Sequence, residues 1–395
     1  MGKSFPVISK AEFESRMDRF KEKMHASGID LAVMYSNLLD PSAVRYFSDF
    51  SAINENAALV VPLTGDPILC SGFACHEWSR YKSKVADIRI MPEVGEVSDV
   101  VYDLEGQMDF LDLFKEIKNR YRVKRIGLVG RLIFPQVIYE KMTRVFPEAE
   151  IVYAEKQLYE LRIQKSADEI ACVRKACEIM SDTFRYAVPR IIEGVTELDV
   201  QADLESQMLR LGAESYVVAF SPAAPSGAAR TNLCMNRNSL KKIINGEMVA
   251  IGAGACYEGY NGIINAPVVV GHVSNEIKEA VKIAHEALLL VAENLKPGAN
   301  AAGLYKLYMD FLKKHGCETY SPYACVHSIG LMECENPFFA PDSGAVVTEN
   351  MTLCIDAYFK GLPFGSFRIE DTFLINKNGA EALTSFNAEH ITKFY

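Results

Sequence analysis

The chain has 395 residues, enough for two domains that each bury a core. Its hydrophobic share of 49% and charged share of 24% are ordinary for a globular protein, and its formal net charge of -9 argues against nonspecific nucleic-acid binding, which needs a basic surface. No apolar run approaches the roughly 18 residues of a membrane span, and the start MGKSFPVISKAEFESR has neither the apolar stretch of a secretion signal nor, with Pro6 at the sixth position, a myristoylation pattern.

Phe13, Met17, Phe20 and Met24 recur at helical spacing, so residues 10–27 are predicted to form an amphipathic helix ended by Gly28. Strands are predicted at Asp30–Tyr35, Ala57–Pro62 and Pro67–Cys70, a helix over Met108–Tyr121 and a strand at Arg125–Val129. This alternation indicates an α/β domain with a parallel or mixed sheet, closed by Ile151–Leu161 and assigned to residues 1–155. Ser166 with Glu169 three residues on marks a capped helix start, and another helix begins near Thr196. Strands follow at Val217–Phe220, Met248–Ala253, Val268–Gly271, Thr352–Ala357 and Asp371–Ile375, with helices at Glu276–Leu295 and Ala301–His315. Residues 156–395 thus read as helices on a curved antiparallel sheet, giving an α+β chain overall. The ten cysteines contain no C-x-x-C pair, so reduced thiols in a cytoplasmic compartment are expected.

A family resemblance is carried by an ordered set of short motifs. They are Leu161-Arg-Ile-Gln-Lys-Ser-Ala-Asp-Glu169, Gly194-Val-Thr-Glu197, Gly246-Glu-Met-Val-Ala-Ile251, Gly259-Tyr260, His327-Ser-Ile-Gly330 and Arg368-Ile-Glu-Asp371. In this order they resemble the M24 family, with its creatinase-like N-terminal domain and pita-bread catalytic domain. The resemblance implies a site of two Asp, one His and two Glu around two divalent ions. Here the two Asp positions are Gly252 and Ile263, while His327, Asp356 and Glu370 keep the other three. One imidazole and two carboxylates are too few for a bridged pair of divalent ions. A metal-free site, or a single divalent ion on His327, Asp356 and Glu370, is what the remaining groups support.

Creatinase is the family member known to work without metal. The tail Thr384-Ser-Phe-Asn-Ala-Glu-His-Ile391 and Met235-Asn236-Arg237 resemble it, as does a metal-poor lineage that includes ectoine hydrolase. Two auxiliary histidines of that site are absent, with Thr231 and Cys334 in their places. The expectation is therefore a metal-independent hydrolase of a C–N bond in a small, nitrogen-containing, cationic molecule. The alternatives are a single-ion Xaa-Pro aminopeptidase or dipeptidase, a lyase, and a non-catalytic binding protein.

On this reading His327 moves protons, its ordinary pKa being near neutrality. Strand alternation sets Arg368 and Glu370 on one face of their strand with Asp371 on the other, and Asp356 with Cys354 and Tyr358 on one face of theirs. An Asp in so apolar a strand should have a raised pKa, suiting it to act as an acid or to anchor a cation. Tyr260, Asn265, Arg230, Thr231 and Cys334 are expected to line the pocket, Cys334 as an inert thiol unless His327 takes its proton. The resemblance further implies a homodimer in which one chain's N-terminal domain completes the other's site, with Glu55 in place of the arginine that clamps a carboxylate in creatinase-like dimers.

Overall fold

The computed structural model describes residues 5–96, 108–216, 222–233 and 236–395. The expected strand Val217–Phe220, Cys234 and Met235 lie outside the described residues. The chain separates into two compact units, one of Ile8–Arg162 and one of Ile163–Tyr395 together with the first residues up to Val7.

In the first unit, Ser9 caps the helix Lys10–Ala26 by accepting a hydrogen bond from the Glu12 amide, and Phe13, Met17, Phe20 and Met24 are its buried stripe. The chain leaves this helix through Gly28, at φ +65°, where a side chain would be strained. Six strands follow: β1 (Leu31–Ser36), β2 (Ala57–Pro62), β3 (Ile68–Ser71), β4 (Asp87–Ile90), β5 (Arg125–Val129) and β6 (Glu150–Tyr153). Their order is β4-β3-β2-β1-β5-β6, a mixed sheet in which β1 is antiparallel to β2 and parallel to β5. Both faces of β1 and β2 are buried, as in a sheet covered on each side. The helix Phe110–Arg120 lays Phe110, Leu113, Phe114 and Ile117 into the core with Leu31, Val33 and Ile126. Short helices at Ser42–Ser48, His76–Lys82, Gln136–Val145 and Glu155–Arg162 have no counterpart in the sequence reading.

The second unit is built on an antiparallel sheet of β7 (Ser215–Tyr216), β8 (Met248–Tyr257), β9 (Tyr260–Val269), β10 (Val326–Ser328), β11 (Glu335–Phe338), β12 (Thr352–Phe359), β13 (Phe367–Asn376) and β14 (Gly379–Ala382). The order is β11-β10-β12-β13-β9-β8-β7, with β14 on β13. β8 and β9 run longer than their composition suggested, because Glu258 and Gly259, both at positive φ, make the two-residue turn that joins them in register.

Ser166 and Glu169 form a reciprocal capping box at the start of the helix Ala167–Ala187, which packs on β8 and β9. Gly262 allows this close approach: a Cβ there would stand 2.6 Å from the Cys177 amide nitrogen. The helices Asn275–Asn294 and Ala301–Lys314 cover the core that takes Leu353, Ile355 and Ala357 from β12 and Ile369, Phe373 and Ile375 from β13. Alternation then commits Cys354, Asp356, Arg368 and Glu370 to the other face of these strands. No described helix is long and apolar enough to cross a membrane.

Candidate active site

Three strands bring the central groups together. His327 lies on β10, whose Cα partner on β12 is Cys354, and Asp356 on β12 lies opposite Glu370 on β13. Glu370 in turn is the residue through which β13 pairs with β9, at Asn265. Register alone thus places an imidazole, two carboxylates, a thiol and an amide on adjacent rungs.

Glu370 is wholly buried. Its Oε2 accepts a 2.5 Å hydrogen bond from Asn265 Nδ2, while Oε1 accepts none and lies 3.3 Å from His327 Nε2. His327 Nδ1 is 3.1 Å from the Ser328 carbonyl; this fixes the proton on Nδ1 and turns Nε2 toward the carboxylate. Burial by itself would lower the imidazole pKa. The contacts with Cys334 and Glu370 outweigh it and hold His327 well above its usual value.

Asp356 is buried and pushed up to about 8, by desolvation first, with Arg368 pulling down and Glu370 pushing up. Its Oδ2 receives Arg368 Nη1 at 3.1 Å and the Tyr323 hydroxyl, while Oδ1 accepts nothing. The Arg368 guanidinium stacks over Tyr358, 4.3 Å from the ring centroid. Arg368, which strand alternation set beside Glu370, therefore pairs across the sheet with Asp356.

Among the described residues, two triplets present one ligand atom each within 4.8 Å of one another: His327, Cys354 and Glu370, and His327, Glu333 and Cys334. Asp356 is in neither. Cys354, wholly buried, is held well above the usual thiol range by desolvation and then by the Glu370 charge. Cys334 as a residue is exposed, yet its sulfur turns inward to His327; desolvation raises its pKa and His327 lowers it. Sequence reasoning passed over Cys354 and Glu333. The alternation of Cys354 with Asp356 was the signal for the first; no pattern marked the second.

The other expected pocket residues have well-defined tasks. Tyr260 donates to Glu169 Oε1 at 2.8 Å, tying β9 to the helix Ala167–Ala187. Arg230 Nε donates to Glu197 at 2.7 Å, and its Nη2 to the Arg237 carbonyl at 2.6 Å. Thr231 donates to the Gly227 carbonyl and accepts from the Ser366 amide. Glu55, buried in the first unit, accepts from the Ala74 and Cys75 amides, one per oxygen.

Residues 171–377 match the model of metallopeptidase family M24, and residues 16–164 match the creatinase/prolidase N-terminal domain. The chain belongs to family M24. It is 32% identical over 285 residues to a Xaa-Pro dipeptidase of Pyrococcus horikoshii, spanning 71% of this chain and 80% of the relative. A peptidase of Bacillus subtilis described as uncharacterized is 29% identical over 370 residues, 93% of this chain and 97% of that one. The crystal structure of the prolidase from Pyrococcus horikoshii OT3 superimposes with a TM-score of 0.79 at 26% identity, covering 94% of this chain and 98% of that one. The M24 resemblance and the α+β fold, with its creatinase-like first domain and pita-bread second domain, are thereby established. The relatives' names fall on the Xaa-Pro peptidase side of the two readings, not on the metal-independent C–N hydrolase that stood first.

The M24 chain does not fit two ions. Gly252 offers no ligand atom, and wholly buried Ile263 packs with Ile329 and Cys354 in an apolar cluster where the second aspartate would stand. One ion is compatible with the donors that remain: a buried carboxylate oxygen without a hydrogen bond, an imidazole nitrogen facing it and a thiol alongside.

Proposed function

We propose that this M24 chain is a hydrolase that cleaves the C–N bond of a small Xaa-Pro-like amide at the His327–Glu370 pocket, with no more than one divalent ion. The observation that carries this reading is the wholly buried Glu370 Oε1, which accepts no hydrogen bond and faces His327 Nε2 at 3.3 Å. A buried carboxylate so placed requires a cation or a proton. His327 and Glu370 would hold the ion, which supplies polarisation of the scissile carbonyl and acidifies a water. Asn265, which donates to its other oxygen, would fix Glu370 for that task. Asp356, protonated up to about pH 8, presents Oδ1 as the acid for the leaving nitrogen, while Arg368 and Tyr323 hold Oδ2. A homodimer in which the second copy completes the pocket belongs to the same proposal.

A second reading has its own support. His327, held despite its burial above its usual pKa by Cys334 and Glu370, faces Glu370 Oε1 at 3.3 Å, a pair that can pass a proton with no ion bound. One experiment separates the two: bound metal is quantified in the purified protein, and turnover of a Xaa-Pro dipeptide panel and of small amides is followed with and without chelator. The proposal expects dipeptide turnover that chelator abolishes and at most one ion per chain. Two ions per chain, or no dipeptide turnover, overturns it. Chelator-resistant turnover of small amides supports the metal-free reading.

A further inference from the structure

Relative to the M24 ligand set, this pocket has lost hard oxygen donors and gained sulfur. Gly252 and Ile263 remove two carboxylates. On the rung beside His327, β12 presents Cys354, whose Sγ lies with one ligand atom each of His327 and Glu370 within a mutual 4.8 Å. All three side chains are buried, at 3% exposure for His327 and 0% for Cys354 and Glu370. The thiol's own polar neighbour is weak: Thr372 Oγ1 at 3.6 Å. Within this triplet the buried Glu370 Oε1 accepts no hydrogen bond and faces His327 Nε2 at 3.3 Å. At the position of the second missing aspartate, Ile263 packs with Ile329 on Cys354 in an apolar cluster, surroundings that favour a softer, less hydrated ligand. Thiolate and imidazole select borderline-soft ions, whereas oxygen-only sets suit manganese or magnesium.

We propose that His327, Glu370 and Cys354 form a mononuclear, thiolate-bearing site for a zinc-type divalent cation. This rests on the pocket's being the active site with at most one ion, and it adds which ion and which sulfur. On binding, Cys354 gives up its thiol proton and His327 the proton on Nε2, both to solvent, and metal–sulfur and metal–nitrogen bonds form with no change of oxidation state. One nitrogen, one oxygen and one sulfur would make three protein ligands, the number of a catalytic rather than a structural zinc site.

The test uses the full chain, stripped of metal and titrated with Co(II) alone. The expected result is one equivalent bound, with near-ultraviolet thiolate-to-cobalt charge-transfer absorption that Zn(II) removes and equimolar Mn(II) does not. Cys354→Ser should lose the band, and Cys334→Ser should keep it. Co(II) binding without the band, or a band that survives in Cys354→Ser, overturns the assignment. Should Cys354→Ser fail to fold, X-ray absorption of the wild-type zinc protein decides: a sulfur shell at about 2.3 Å supports the site and a shell of nitrogen and oxygen alone overturns it. The two proposals fail separately. No ion binding sinks this one and leaves a metal-free hydrolase standing, whereas a thiolate-bound ion without dipeptide turnover sinks the functional reading and leaves the site.

Discussion

The pair at the centre of the pocket makes opposite demands on two carboxylates. Glu370 and Asp356 face each other across β12 and β13, and the Glu370 charge raises the cost of ionising Asp356. The fold resolves this by giving Asp356 the guanidinium of Arg368 and giving Glu370 an amide and an imidazole. Two outcomes follow at this scale. Glu370→Gln keeps shape and the Asn265 contact but removes the negative charge that would hold the ion, so turnover should fall on the order of 10²-fold or more, as read by steady-state kinetics. On the proposed reading Asp356 acts in its acid form, so activity should decline as pH rises through about 8. Arg368→Met removes the charge that lowers this pKa, and the alkaline limb of the pH–rate profile should move to higher pH. A limb that stays in place, or moves down, removes Asp356 from the role of acid.

Among elements, one buried carboxylate ties together Ser226, Arg230 and Ser239. Glu197, at the start of the helix Glu197–Arg210, accepts from the Ser226 and Ser239 amides at 2.9 and 3.0 Å and from Arg230 Nε at 2.7 Å. Burial alone would raise its pKa; these donors more than offset it and hold the carboxyl below its usual value. The folded pKa is depressed, so the stabilisation is complete above the unfolded value near pH 4.3 and is lost as pH falls through the folded one. Glu197→Gln should therefore cost about 3 kcal/mol at pH 7 in denaturant unfolding, and the gap to wild type should close in stronger acid. A second element-level constraint is the approach of β9 to the helix Ala167–Ala187. At Gly262 a Cβ would lie 2.6 Å from the Cys177 nitrogen and 2.8 Å from the Ala176 carbonyl carbon, backbone atoms that cannot swing away. Gly262→Ala should cost roughly 1–3 kcal/mol in the same assay, and a neutral result would mean that the helix is free to shift. Such tertiary fits leave no local mark, which is why the glycine went unread. The capping box at Ser166 and the stripe of Phe13, Met17, Phe20 and Met24 were legible because each is written within a few consecutive turns. At the site, the M24 motif order gave His327, Asp356 and Glu370, but the pairing of Arg368 with Asp356 and the nearness of Cys354 to Glu370 are set by strand register, which one strand's sequence does not contain.

Over the whole molecule, the fold is kept while two positions of the site differ. The chain superimposes on the prolidase from Pyrococcus horikoshii with a TM-score of 0.79, yet Gly252 and Ile263 stand where the M24 motif order calls for two aspartates. Ile263 is what makes the change self-consistent: with Ile329 and Cys354 it fills a space that would otherwise bury an aspartate beside Glu370. Restoring both acids by Gly252→Asp with Ile263→Asp should therefore expose what the scaffold retains. Without a cation the two new carboxylates would join Glu370 and Asp356 in a buried cluster of like charge, at a cost of several kcal/mol. A divalent ion that binds only the folded form would return stability by mass action, about 2.7 kcal/mol at one hundred times its dissociation constant. The double variant should accordingly melt well below wild type in chelator, recover with added Mn(II) and bind two ions per chain. If it is as stable as wild type in chelator, or takes up no further ion, the backbone of β8 and β9 no longer holds the geometry of a dinuclear site, and the loss of the ligands has been followed by loss of the frame that positioned them.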